Sequence, residues 1–195
     1  EAVDPLGYCL PTLLPELAGK AVQEALEEKG AKFHFGPLVT EVNKAEEGVV
    51  VSLNNGETID ADLVVSAVGV RPRTGLASES GIEINRGIVT NRLLETSAPN
   101  VYAMGDCAEV AGHVLVYVAP LMAQARALGK TLAGEATEVT YPAMPVTIKT
   151  PACPVTVAPP ARDAEGEWSI EADGRNVKAE FRDASGALLG FALTG

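Results

Sequence analysis

Apolar and polar positions follow two different rhythms along the chain, and the change from one to the other sorts it into segments. From Pro15 to Gly30, Leu17, Ala21, Ala25 and Leu26 recur at helical spacing against Lys20, Glu24, Glu27 and Glu28. Pro15 suits the first helical position and Gly30 the stop, which predicts an amphipathic surface helix. Ala31–Phe35 reads as a short strand. Leu38–Val42 and Val49–Leu53 flank a charged turn at Lys44–Gly48, and Asn54, Asn55 and Gly56 supply a tight hairpin turn. Together they predict a small antiparallel meander. Leu63–Val68 is a continuous apolar run closed by Gly69-Val70-Arg71-Pro72. Such a run suits a central strand of a parallel sheet covered on both faces.

Beyond Pro72 the pattern predicts a short helix over Thr74–Ser80, a turn at Gly81–Ile84 and a strand over Gly87–Asn91. A turn at Ser97–Asn100 leads into a predicted strand, Val101–Met104, and a hairpin-like segment surrounds Gly112-His113. Val118–Gly134 is a helix by pattern, with Pro120 opening it, Leu121, Ala125, Leu128 and Leu132 on one face, and Gly134 ending it. Tyr141–Pro145 reads as a linker. After it, strands at Val146–Thr150, Val155–Ala158, Trp168–Glu171, Val177–Phe181 and Leu188–Leu193 are separated by turns at Glu165-Gly166, Asp173-Gly174 and Ser185-Gly186. That succession predicts an antiparallel sheet. The fold class is therefore α/β, followed by a carboxy-terminal α+β part rich in antiparallel strands.

Composition narrows the function. With 195 residues, 47% of them hydrophobic, the chain has ample material for a core. A formal charge of −11 argues against nucleic acid and anionic membrane surfaces as partners. No stretch is long and apolar enough to span a bilayer, and no secretory signal is present. Cys9, Cys107 and Cys153 form neither a C-x-x-C pair nor a zinc spacing, so they read as reduced, cytoplasmic cysteines with no metal site.

The chemistry concentrates in Thr96–Ala108, TSAPNVYAMGDCA. An apolar strand stopped by Gly105 presents the carboxylate of Asp106 at its tip. That arrangement is compatible with an ordinary turn aspartate, and equally with a carboxylate accepting charge-assisted hydrogen bonds from a polyol hydroxyl. Gly69 reads either as a strand stop or as a place where a flat ligand approaches the backbone. His113 is an acid/base candidate by residue type alone and otherwise reads as a surface turn histidine, and Cys107 reads as packing. The amino terminus of the helix at Val118 carries partial positive charge and free N–H groups.

Thr96–Ala108 resembles the second flavin-binding signature of the FAD-dependent pyridine nucleotide:disulfide oxidoreductase family, and Leu63–Pro72 resembles the distal part of that family's NAD(P)H domain. Val146–Pro160 and LVYVAPLMAQARALGKTLAG are similar to the rubredoxin reductases within it. The resemblance implies an incomplete FAD/NAD(P)-binding Rossmann-like fold divided at 1–73, 74–142 and 143–195: the distal half of the NAD(H) domain, the later part of the FAD domain, and a truncated interface domain. It implies FAD held by Asp106 and Gly105, with Ala119, Pro120 and Leu121 as flavin neighbours and Val68 and Gly69 beside the nicotinamide dinucleotide. Glu1 falls where an acid would bind the adenosine ribose and favour NADH over NADPH; otherwise it is a charged terminus. Lys149 is either an exposed strand lysine or a cation approaching the flavin or an acceptor, and Arg126 and Lys130 a solvated face. The implied activity passes electrons from NADH through FAD to rubredoxin or a similar small iron-sulfur carrier, with no catalytic residue in this stretch. Neither Gly-x-Gly-x-x-Gly loop occurs in the sequence, so the expectation is a fragment inactive by itself. Alternatives are a ferredoxin or flavorubredoxin reductase fragment, or a cofactor-free interaction module.

Overall fold

A computed structural model describes residues 1–141, 144–161 and 164–195. The chain forms two compact units, one of residues 1–65 with 145–195 and one of residues 66–144.

In the first unit, β1 (Ala2–Asp4) and β2 (Phe33–Phe35) pair in parallel, and α1 (Glu16–Glu27) is the crossover that a parallel pair requires. Pro15 is extended and caps α1 rather than beginning it. The helix buries Ala18, Ala21, Val22 and Ala25, so the apolar stripe is rotated from the predicted one and Leu17 is half-exposed. Small side chains dominate this face because the neighbouring backbone comes close. A Cβ on Gly19 would collide with the Tyr8 ring and the Cys9 carbonyl. The meander forms as expected, β3 (Val39–Lys44), β4 (Val49–Leu53) and β5 (Thr58–Ala61) in order.

The carboxy-terminal strands are β8 (Val146–Ile148), β9 (Val155–Ala158), β10 (Glu167–Asp173), β11 (Asn176–Arg182) and β12 (Leu188–Thr194). They form an antiparallel sheet in the order β10-β11-β12-β9-β8. Val177, Ala179 and Phe181 of β11 alternate with exposed or half-exposed polar residues, as one buried face demands. That face meets α1, and Val155, Val157, Val177, Ala179 and Ala192 share one core with Cys9, Leu14, Ala18, Ala21, Val22, Ala25 and Cys153. Trp168 and Phe181, opposite each other in the register, pack edge to face at 5.3 Å between ring centres. Arg175, in the β10–β11 turn, forms an ion pair with Glu28 at the end of α1.

In the second unit, α2 (Gly75–Glu79) precedes β6 (Ile88–Thr90), which pairs in parallel with β7 (Ala108–Val110). The third helix, α3 (Val118–Leu132), starts two residues before Pro120, which occupies the first turn, where a missing N–H costs nothing. Gly134, at φ +99°, follows its last turn. Leu132 is exposed, and α3 instead buries Pro120, Gln124 and Ala127. Leu94, Ala103, Ala108, Val110, Ala127 and Val139 make this unit's core.

Two predicted strands do not form. Among the described residues Val101–Met104 makes only an isolated antiparallel bridge, Tyr102 to Glu95, in which the Thr96 N–H donates to the Val101 carbonyl and the Ala103 N–H to the Leu94 carbonyl; the Thr96 hydroxyl also donates to the Val101 carbonyl. Leu63–Val68 is irregular and exposed, with Val68 at 93% of full accessibility. A strand is a pairing rather than a composition, and among the described residues nothing hydrogen-bonds alongside this run. The predicted linker Tyr141–Pro145 includes residues 142 and 143, which lie outside the described residues.

Gly19→Ala isolates the close approach at α1. Helix propensity alone would favour alanine by about 1 kcal/mol. The collision with the Cys9 backbone reverses the sign, so thermal unfolding of the substituted chain is expected at a lower midpoint than that of the parent sequence.

Candidate functional site

The turn between Met104 and Ala108 is built from constraints that converge on one carboxylate. Met104 is extended, and at Gly105 the backbone swings to φ +78°, a conformation glycine adopts without steric penalty. Residues Gly105–Cys107 then form one turn of 3₁₀ helix leading into β7. Gly105 is buried, and a Cβ there would sit 3.3 Å from Leu121 Cδ1, in the first turn of α3. Its N–H donates to Oε1 of Gln124 at 2.6 Å, and Nε2 of Gln124 donates to the Tyr141 hydroxyl at 2.8 Å. Burial pushes the Tyr141 hydroxyl above the ordinary tyrosine range, so it stays neutral.

Asp106 is exposed. Its carboxylate takes part in no hydrogen bond or ion pair among the described residues. The adjacent Cys107 thiol donates to the Met104 carbonyl at 3.4 Å, a local packing contact. The far side of the turn is pinned by Glu109 on β7, only 5% exposed, which accepts from the backbone N–H groups of Arg86 and Gly87 and from Asn85 Nδ2 at 2.8–3.0 Å. Burial raises the Glu109 carboxyl, but these donors and the nearby Arg86 charge outweigh it and hold it below the ordinary carboxylate value of 4.5.

Of the predicted flavin neighbours, Ala119 is exposed, Pro120 buried and Leu121 partly buried. They differ in chemistry. Pro120 has no N–H, and the Leu121 N–H already points to the Tyr117 carbonyl at 3.5 Å, whereas the Val118 and Ala119 N–H groups have no acceptor among the described residues. An unpaired carboxylate, a glycine backbone and free helix-terminal amides thus lie on adjoining elements, a donor and acceptor set that fits a ligand carrying hydroxyls and a polarisable carbonyl.

The remaining predicted residues stand elsewhere. Val68 and Gly69 lie on the irregular exposed segment, and a Cβ on Gly69, at φ +88°, would meet nothing within 4 Å. Lys149 is exposed just past β8. Glu1 precedes β1, at the amino end of the strand rather than the carboxyl end where a ribose-binding acid belongs. It accepts from Lys32 Nζ at 3.2 Å and lies 2.9 Å from His34 Nε2; the His34 contact, followed by that of Lys32, holds its carboxyl below the ordinary range. The carboxylate at the carboxyl end of β1 is Asp4, whose Oδ1 accepts the Leu6 N–H at 2.8 Å. Sequence reasoning missed Asp4, Gln124 and Glu109. The first had a legible signal, the acid closing an apolar strand, whereas the other two are polar residues whose burial no local pattern announces.

Comparison with known proteins covers nearly the whole chain. Residues 3–127 match the pyridine nucleotide-disulphide oxidoreductase family model, and residues 138–195 match the rubredoxin binding C-terminal domain. The chain is 58% identical to a rubredoxin-NAD(+) reductase of Alcanivorax borkumensis over 99% of its own length and 51% of that protein's, and 38% identical to a nitric oxide reductase FlRd-NAD(+) reductase of Aliivibrio fischeri over 98% and 50%. It spans about half the length of the curated relatives it matches. Among solved structures, a ferredoxin reductase from Rhodopseudomonas palustris superposes with a TM-score of 0.85 at 24% identity, covering 98% of this chain and 49% of that one, a likeness of fold.

The supports of the turn make a pH-dependent prediction. Because folding lowers the Glu109 pKa, its stabilisation is fully present above the ordinary carboxylate value and is lost as pH falls through the folded value. Glu109→Gln should cost about 1–3 kcal/mol near neutral pH. In urea unfolding at a series of pH values, the gap between the two proteins should close as the solution is taken below 4.5.

Proposed function

Since the chain belongs to the pyridine nucleotide-disulphide oxidoreductase family, we propose that it is the later half of a cytoplasmic flavoprotein that passes electrons from NADH through FAD to rubredoxin. The observation that carries this reading is the Gly105–Asp106 turn: a glycine backbone held against α3 presents an exposed carboxylate that has no partner among the described residues. The relatives' names and the match of residues 138–195 to a rubredoxin binding domain support rubredoxin as the acceptor. The nitric oxide reductase FlRd-NAD(+) reductases among the relatives keep a flavorubredoxin reductase fragment as the second reading.

FAD, when bound, supplies the chemistry: it accepts hydride from the nicotinamide and releases electrons singly to an iron centre. The chain's own residues hold and tune. Asp106 would accept hydrogen bonds from ribityl hydroxyls, and Gly105 would let the ligand approach the backbone without a side chain in the way. The Val118 and Ala119 amides would stabilise negative charge near the flavin carbonyl, and Pro120 and Leu121 would exclude water beside them. Residues 1–73 would contribute to the NADH domain, 74–142 to the FAD domain and 143–195 to the acceptor-facing domain. Val68 and Gly69 would lie beside the dinucleotide, and Lys149 would meet flavin or acceptor. Within the dinucleotide part Asp4, at the end of β1, suits the ribose hydroxyls better than Glu1, which His34 and Lys32 already engage.

Two measurements on the full-length protein test this. It should be yellow and bleach with NADH, and Asp106→Ala should weaken FAD by roughly 2 kcal/mol, about thirtyfold, in a titration of the apoprotein. A colourless full-length protein, or full FAD affinity without the carboxylate, would sink the assignment. For the nucleotide, Asp4→Asn should raise the KM for NADH severalfold at unchanged kcat while Glu1→Gln leaves it alone, the pattern of lost uniform binding.

A further inference from the structure

The reading of Asp106 as a flavin ligand leaves open what aims it. Gln124 is 1% exposed, on a helix face otherwise buried through Pro120 and Ala127. A long polar side chain is an expensive choice there unless both ends of its amide are engaged. Both are. The Gly105 N–H can only donate, so the amide oxygen must face it; the amide nitrogen then faces Tyr141, whose hydroxyl accepts. The two contacts fix the orientation of the amide as well as its place.

What the amide holds is the reversal at Gly105. The backbone enters extended at Met104, turns through φ +78° and delivers Asp106 one residue later, so a rotation at Gly105 re-aims that carboxylate directly. The Asp106 side chain has no partner of its own among the described residues to correct it. We propose, on the reading of Asp106 given above, that Gln124 is a positioning residue: clamped by Tyr141, its side-chain oxygen locks the Gly105 turn and sets the direction in which the Asp106 carboxylate meets the flavin.

The proposal separates positioning from mere packing. Gln124→Leu keeps the volume and removes the acceptor, whereas Gln124→Glu keeps an acceptor for the Gly105 N–H and lets Tyr141 donate. In apoprotein prepared from the full-length chain, titrated with FAD and followed by flavin fluorescence, Gln124→Leu should weaken binding at least tenfold and Gln124→Glu less than threefold. Hydrogen exchange of the peptide spanning Gly105 should speed up in Gln124→Leu and stay slow in Gln124→Glu. In an Asp106→Ala background, Gln124→Leu should add less than a threefold loss, because no carboxylate is left to aim. Equal losses with and without Asp106 would reduce Gln124 to core packing, and wild-type FAD affinity in Gln124→Leu would remove its role altogether; either overturns the proposal. Undiminished FAD affinity in Asp106→Ala alone would overturn the assignment of the carboxylate first, and the positioning role with it.

Discussion

A buried backbone N–H must find an acceptor, and at Gly105 that acceptor is a side chain rather than a sheet partner. Were Val101–Met104 a paired strand, a ladder would carry the chain straight into the turn. Instead, among the described residues it has one antiparallel bridge at Tyr102, which the Thr96 hydroxyl reinforces through the Val101 carbonyl. Gln124 from one side and Glu109 from the other then secure the ends of a three-residue turn. The exposed carboxylate between them is the part left with no internal task.

The first unit solves a different problem by size rather than by hydrogen bonding. Its helix meets the carboxy-terminal sheet through Ala18, Ala21, Val22 and Ala25, and a glycine admits the Tyr8–Cys9 backbone. These residues share one core with Val155, Val157, Val177, Ala179 and Ala192 on the strands. Close packing of this kind gains dispersion contacts and tolerates little change of volume.

Much of this was legible in the amino-acid order. The hairpins announce themselves through Asn54-Asn55-Gly56 and Asp173-Gly174, and α1 and α3 through helical spacing, because these signals are local. The face of α1 was read less well: Leu17 fits the period yet lies outside, since which side of a helix is buried depends on a sheet more than a hundred residues away. Leu63–Val68 has the composition of a buried strand and, among the described residues, none of its partners, which composition cannot reveal. At the site, Gly105-Asp106 was visible as a motif. Gln124 and Glu109 were not, because a glutamine or glutamate looks the same in sequence whether it faces water or holds a backbone amide. Glu1 stands just before β1 and Asp4 at its carboxyl end, a difference of strand register that depends on where the parallel pair begins and that the local sequence does not mark.

The unpaired run at 63–70 has a consequence for handling. Leu63, Val65, Val68 and Val70 are each more than two-thirds exposed, on a backbone whose donors and acceptors have no partners among the described residues. A bare, β-prone stretch of that kind is a template for edge-to-edge association. In the test tube this chain by itself should form oligomers whose size grows with concentration.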